Sequence, residues 1–457
     1  MENAEQTVSR PLKISLVQVI NPNVKGAMNK DLNGGFGTAD DYGTTITSKI
    51  LQRIKGKWVR LPVISFAYLQ TILREKGHTV TYYEESLPEQ PSDLILLYGS
   101  IVDYKYENEA GQKLKKKFPE AKVGFFGPFV SVRPDLFATC DFVLIGEPEP
   151  FFMREFTSLD ELKGNVLVKS ATTIEDLPTP SYDGFPLHRY GYSPANNKRP
   201  FLVLLASKGC PYSCRYYCVY GEYQGAKIRQ RSPKKVVDDI VSLQEKHKVK
   251  GIQFRDPVFG LNRNFIPEFC GEIMKRHVKI QWGMETRLDL LNEENLKMMY
   301  AAGLRNLNVG IETNDPEVAK MNKRLLVQQQ HQEHIIRFCN KLGIKVSAFY
   351  IIGYDGDTVE TVRNTIKYAI RLNTPLARFA VSTPYPGTRF YDQMEASGRL
   401  LTKDYTQYTQ FHPVYRHENL SPEQITALLS EAYRKYYFRL SFVWNTLRWK
   451  IRELTST

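Results

Sequence analysis

Lys208-Gly209-Cys210-Pro211-Tyr212-Ser213-Cys214-Arg215-Tyr216-Tyr217-Cys218 follows directly on the apolar run 201–206. Three thiols, at 210, 214 and 218, fall within nine residues. Clustered in this way they suit three irons of a [4Fe–4S] cube and leave the fourth iron without a protein ligand. A structural zinc site would ask for four ligands, commonly in two pairs, and no second pair or C-x-x-H partner lies nearby. The loop is therefore a candidate redox centre with one open coordination position.

The run before the loop is the first of six apolar strand candidates, at 201–206, 251–255, 279–284, 305–311, 345–352 and 377–383. Helical periodicity separates them, as at 232–247, 264–277, 293–302 and 358–372. Six strand–helix units are too few for a closed eight-stranded barrel and match a partial (β/α)6 TIM-type barrel, in which chemistry gathers at the C-terminal strand ends. Upstream, an apolar run at 12–20 precedes a helical pattern at 62–76 that ends at Gly77. Strand-like runs follow at 78–83, 93–98, 121–126 and 141–145. Strands alternating with helices predict a parallel sheet with right-handed crossovers. The fold class expected is thus α/β, with a Rossmann-like doubly wound domain over 1–170 and a proline-rich linker over 171–200. The partial barrel takes 201–395 and a helical region 396–457. In the last, Ser421-Pro422-Glu423 reads as a helix start. The stretch 440–454 is aromatic and basic, and packing against the barrel is expected of it in preference to a membrane-surface role.

The six cysteines of this 457-residue chain do not read as a disulfide framework. Cys140, Cys270 and Cys339 lie in separate elements and read as buried thiols. An open iron is oxygen-sensitive, which implies a reducing compartment. Met1 to Arg10 carries no signal-peptide core. No run reaches the roughly 20 apolar residues of a membrane helix. A cytoplasmic location without a membrane partner is expected. The net charge of +13 and pI near 9.2 raise the question of nucleic acid. The basic residues are dispersed, however, with only short runs such as Lys115-Lys116-Lys117, so no nucleic-acid partner is expected.

On these residues, 201 to about 395 resembles a radical SAM enzyme, and the whole chain resembles the subfamily with an N-terminal cobalamin-binding-type domain. Gly209-Cys210-Pro211 with Cys214 and Cys218 resembles the cluster loop, and Lys227-Ile228-Arg229-Gln230-Arg231-Ser232-Pro233 the approach to the first barrel helix. Phe254-Arg255-Asp256-Pro257, Glu285-Thr286-Arg287, Val309-Gly310-Ile311-Glu312, Ile352-Gly353 and Pro386-Gly387-Thr388 fall at successive strand ends. Gly146-Glu147-Pro148-Glu149 and Leu177-Pro178-Thr179-Pro180-Ser181-Tyr182-Asp183 resemble signatures of the subfamily. The resemblance implies a [4Fe–4S] cluster on Cys210, Cys214 and Cys218, with S-adenosyl-L-methionine chelated by the open iron. It puts Asp256 at the methionine amino group, Glu285 and Arg287 at the ribose or carboxylate, and Tyr217 at the adenine. Glu312 belongs to the glycine-plus-acid signature. Cobalamin is expected to be unlikely, because Asp-x-His-x-x-Gly is missing and His78 heads a strand.

The usual spacing of such a loop is C-x3-C-x2-C, and C-x3-C-x3-C here adds one residue. That spacing resembles the radical SAM diol dehydratases of aminoglycoside biosynthesis. It implies loss of the 3′-hydroxyl of a pseudodisaccharide such as paromamine, by way of a 5′-deoxyadenosyl radical, to a 4′-keto product. A flavodoxin-type or other one-electron donor and a separate NADPH-dependent reductase would be the partners. Tyr216 is then the added residue, and its hydroxyl is the candidate to protonate the departing hydroxide. A cationic sugar also calls for carboxylates, Asp103 and Glu107 among the candidates. The alternative is a cobalamin-dependent radical SAM methyltransferase acting on a natural-product intermediate.

Overall fold

The computed structural model describes residues 10–24, 28–42, 46, 49–50, 52 and 59–455. Their contacts divide them into two compact units. The first takes its residues from Met1–Asn23, Val63–Thr172 and Asp176–Pro186; the second from Val24–Pro62, Thr173–Glu175 and Leu187–Thr457.

In the first unit, strands β1 (Lys13–Gln18), β2 (Thr79–Glu84), β3 (Leu94–Tyr98), β4 (Lys122–Phe126), β5 (Phe142–Ile145) and β6 (Gly164–Leu167) form one sheet. Its order is β2-β1-β3-β4-β5-β6, and every pairing is parallel. All five residues of β3 are buried, as a strand covered on both faces requires. Helix α1 (Ile64–Glu75) lays Phe66 between Tyr82 and Phe126, with ring centroids 5.3 and 5.1 Å away. Because β1 pairs with β2 on one side and β3 on the other, the strand order reverses there, and such a switch point opens a crevice at the carboxyl ends. Glycine follows each of the next three strands, at 99, 127 and 146. Gly127 and Gly146 have φ of +134° and +122°, which a side chain would strain. His78 lies at the opposite edge, where its Nδ1 accepts the Leu12 N–H at 3.3 Å. After β3, Glu107 accepts the Ser100 N–H and hydroxyl, both at 2.7 Å, and Asp103 accepts the Asn21 N–H at 3.1 Å. Both acids thus brace loops of this sheet.

In the second unit, β7 (Phe201–Leu204), β8 (Gly251–Phe254), β9 (Gln281–Thr286), β10 (Leu304–Glu312), β11 (Lys345–Ile352) and β12 (Leu376–Val381) pair in chain order, all parallel. Helices α2 (Pro233–His247), α3 (Phe265–Lys275), α4 (Glu293–Ala301), α5 (Gln329–Leu342) and α6 (Val359–Leu372) provide the crossovers, and α7 (Arg389–Ala396) follows β12. Their starts are chemically marked. Ser232 caps α2 with proline at its first position, and Thr358 and Thr361 form a capping box on α6. β12 ends the sheet, and α8 (Pro422–Tyr437) covers its free edge. Hydroxyls of Tyr433, Tyr436 and Tyr437 donate to the carbonyls of Phe379, Thr374 and Ala377 at 2.9, 2.5 and 2.6 Å.

Two segments sit elsewhere than continuity along the chain suggests. Residues 28–42 fold with the barrel: they form a small antiparallel pair of their own, Met28 opposite Ala39 and Asn29 opposite Thr38, and the Thr38 hydroxyl donates to the Thr409 carbonyl at 2.7 Å. The last helix, α9 (Leu440–Thr455), meets its expected packing on one face only. Phe442 lies 4.9 Å from Tyr437, whereas Leu440, Val443, Trp444, Leu447 and Ile451 are exposed. Among the described residues no helix is long and apolar enough to cross a membrane.

Candidate functional site

β7 delivers the chain to the cysteine loop, and Asp256 at the end of β8 fixes the delivery. Its carboxylate accepts the Ala206 N–H at 2.9 Å and the Ser207 hydroxyl at 2.5 Å. Burial pushes this carboxyl up to about 7 despite those bonds. A two-residue antiparallel pair then closes the base of the loop, Ser207 opposite Gln230 and Lys208 opposite Arg229. Gly209 has φ +92°, and a Cβ there would stand 2.1 Å from the Lys227 carbonyl oxygen. Only glycine turns the chain at this point.

The cysteines themselves are set by one short turn, Ser213–Tyr216. The Cys218 N–H donates to the Cys214 carbonyl at 3.0 Å and the Tyr217 N–H to the same oxygen at 3.1 Å. The added residue is thereby absorbed as a helical step, since residues four apart share a face. Burial raises all three thiols. For Cys214, Arg324 and Arg287 oppose the rise and Glu312 adds to it. Two guanidinium groups therefore face thiols that must become thiolates to hold iron. Among the described residues no group of three or more His, Cys, Asp and Glu could hold a metal ion. Ligands on separate corners of a cube lie farther apart than ligands around one ion.

Around this turn the structure gathers some expected residues and redirects others. Arg287 holds Asp289 at 3.0 Å and lies 4.4 Å from the centre of the Tyr212 ring, while its Nη1 is buried without a hydrogen-bond partner. That orphaned buried donor fits a carboxylate-bearing cofactor. Glu312 follows a bulge in β10 and has φ +70°. A Cβ on Gly310 would lie 2.2 Å from its Oε1, so that glycine lets the carboxylate fold over the strand end. Tyr217 stands edge-on to Tyr354, ring centroids 5.3 Å apart. Glu285 is instead ion-paired to Arg255, whose Nε also holds Asp31 at 2.5 Å.

Tyr216 departs from expectation. Its hydroxyl donates to Gln393 Oε1 at 2.7 Å, and its ring packs 5.6 Å from Phe390 against the cluster of Phe390, Met394 and Tyr415. The catalytic role expected of it would need that hydroxyl to exchange Gln393 for a substrate. Arg324, which donates to the Gly310 carbonyl at 2.6 Å and lies 3.9 Å from Glu312, escaped the sequence reading. So did Asp31. Neither sits in a motif, and no local pattern marks either as a partner of the strand ends.

The radical SAM superfamily pattern matches residues 204–369. "Uncharacterized methyltransferase PH0819" of Pyrococcus horikoshii is 30% identical over 426 residues, 86% of this chain and 91% of that protein. The anaerobic magnesium-protoporphyrin IX monomethyl ester cyclase of Rubrivivax gelatinosus is 28% identical over 432 residues, 85% of this chain and 76% of the cyclase. Among solved structures, the radical S-adenosylmethionine methyltransferase TsrM from Kitasatospora setae, with cobalamin and a [4Fe–4S] cluster bound, superposes with TM-score 0.60 at 17% identity. It covers 84% of this chain and 78% of TsrM. The cobalamin-dependent S-adenosylmethionine radical enzyme OxsB, with aqua-cobalamin and S-adenosylmethionine bound, gives TM-score 0.65 at 14% identity, over 94% of this chain and 67% of OxsB. The structural likenesses establish the fold. They also overturn the expectation that cobalamin is unlikely, which rested on a missing histidine motif: proteins of this fold hold cobalamin. The relatives are a methyltransferase and a cyclase, and the dehydratase class finds no support among them.

Proposed function

Because the chain belongs to the radical SAM superfamily, we propose that it is a cobalamin-dependent methyltransferase of that superfamily, acting on a small natural-product intermediate. One observation carries the reading. A single chain joins a three-cysteine turn at the end of β7 to a parallel sheet with a switch point between β1 and β3 and glycines at 99, 127 and 146 along its carboxyl edge. Such an edge is where doubly wound sheets bind ligands, and the relatives and fold neighbours point to methyl transfer.

Cys210, Cys214 and Cys218 would hold the [4Fe–4S] cluster. Arg287, through its free Nη1, would take the carboxylate of S-adenosylmethionine, with Glu312 and Tyr217 beside it. Asp256 would act through the backbone, keeping residues 206–207 at the strand end so that the cysteine turn starts in place. The glycine edge would take the cobalamin. Bound together, these groups supply a 5′-deoxyadenosyl radical on one-electron reduction and a transferable methyl group. The protein's own part is to orient them and to set two cations against the thiolates.

The C-x3-C-x3-C spacing favours a second reading, dehydration of an aminoglycoside diol. One experiment separates the two. Anaerobically reconstituted full-length protein is given S-adenosylmethionine and a one-electron reductant, with and without cobalamin, and with paromamine as a trial substrate. Methylcobalamin and S-adenosylhomocysteine, formed only when cobalamin is present, support methyl transfer. A dehydrated keto product formed without cobalamin supports the second reading and overturns the first.

A further inference from the structure

We propose that α9 is a membrane-surface helix that binds the protein to an anionic lipid bilayer. At 100° per residue, Leu440, Val443, Trp444, Leu447 and Ile451 fall on one stripe of the helix. They are 89, 53, 64, 49 and 61% exposed. Elsewhere among the described residues, exposed large apolar side chains are scattered, which is ordinary for a surface. A continuous exposed stripe is not, and it marks a contact site.

The opposite face shows that the helix is held in place. Phe442 packs on Tyr436 and Tyr437, with centroids 5.9 and 4.9 Å away, and Trp449 is half-buried on the same side. Arg439, just before the helix, donates to Asn373 Oδ1 at 2.5 Å and lies 4.1 Å from the centre of the Tyr436 ring. The stripe is thus presented outward by an anchored helix.

Charge selects the occupant. Arg448 and Lys450 are exposed and, by the same angular count, border the stripe on its two sides. Long cationic side chains flanking an apolar stripe can reach phosphate headgroups while the stripe enters the acyl boundary. The net charge of +13 favours the same surface. A second copy of the helix would bring these cations against each other. One exposed apolar stripe beside a packed face suits a helix lying on the surface; among the described residues no helix is long and apolar enough to cross a membrane.

The test is co-sedimentation of the full-length protein with vesicles of phosphatidylglycerol and phosphatidylcholine. Trp444 emission is recorded alongside, with Trp444→Phe to assign the signal. Binding, a blue shift of Trp444, weakening by salt and weaker binding to phosphatidylcholine alone are expected. Leu447→Glu with Ile451→Glu should lower partitioning by roughly tenfold or more. Both side chains are exposed, so the thermal unfolding midpoint should hold. The proposal is overturned if the native protein leaves vesicles unbound, or if the double variant binds as well as the native chain. It is equally overturned if the stripe supports only concentration-dependent self-association that the double variant abolishes.

Discussion

Asp256 is a carboxylate whose value lies in its two hydrogen bonds rather than in its charge. Burial holds its pKa near 7, above the ordinary carboxylate value of 3.8. A raised carboxyl favours the fold fully below about pH 4, and that contribution is lost as pH rises to about 7. Asp256→Asn keeps an acceptor for the Ala206 N–H and turns the other bond round, its amide donating to the Ser207 hydroxyl oxygen, without the ionisation. Its stability relative to the native chain should therefore increase between pH 4 and 7 and then level off; a flat difference in urea midpoints would sink this account. Tyr216→Phe removes one hydroxyl–amide bond to Gln393, a loss of about 1 kcal/mol. Cluster absorbance and reductive cleavage of S-adenosylmethionine to 5′-deoxyadenosine should persist. A collapse of cleavage with the cluster intact would restore a chemical role to the hydroxyl.

Among elements, the segment 28–42 changes most between sequence and structure. Its strands are two residues each, too short for any periodicity to reveal. Packing and charge seat it together: Phe36 lies 5.6 Å from Tyr385 and Tyr42 4.4 Å from Tyr433, and Asp31 pairs with Arg255, which also holds Glu285. Removing one partner of a buried pair leaves a desolvated charge, so Asp31→Ala should cost about 3 kcal/mol. Combining it with Arg255→Met should recover part of that loss, measured by urea unfolding of the double-mutant cycle; strict additivity would show that the pair does not couple. The cysteine turn was far more legible. The spacing marks Cys210, Cys214 and Cys218 as one cluster at the end of an apolar run, although only 213–216 turn as a helix. The glycine at 209 is explained by one carbonyl, that of Lys227, which no local pattern names.

At the scale of the molecule, the two units carry different shares of the proposed chemistry. His78 is the only histidine of the first unit, and it lies at the edge of the sheet opposite the switch point, bonded to Leu12. Cobalamin bound to that glycine edge should therefore lack a histidine ligand from this unit. The electron paramagnetic resonance spectrum of the cob(II)alamin-loaded protein should show no nitrogen splitting from an axial imidazole, and splitting that disappears in His78→Ala would refute the assignment. On the proposed reading, the missing histidine motif bears on how cobalt would be held.

What the sequence determined by itself was local. The six strands of the second sheet, the alternation of strands with helices, the helix start at Ser421 and the clustering of three thiols all follow from periodicity and spacing within a few residues. The tertiary structure decided everything that joins distant positions. Asp31 meets Arg255 across 224 residues, and Tyr216 meets Gln393 across 177. Which thiols Arg324 faces, and which side of α9 is left exposed, were settled in the same way. A side chain's hydrogen bonds and burial are properties of whatever packs beside it. One stretch of chain carries its own spacing but not the identity of its neighbours.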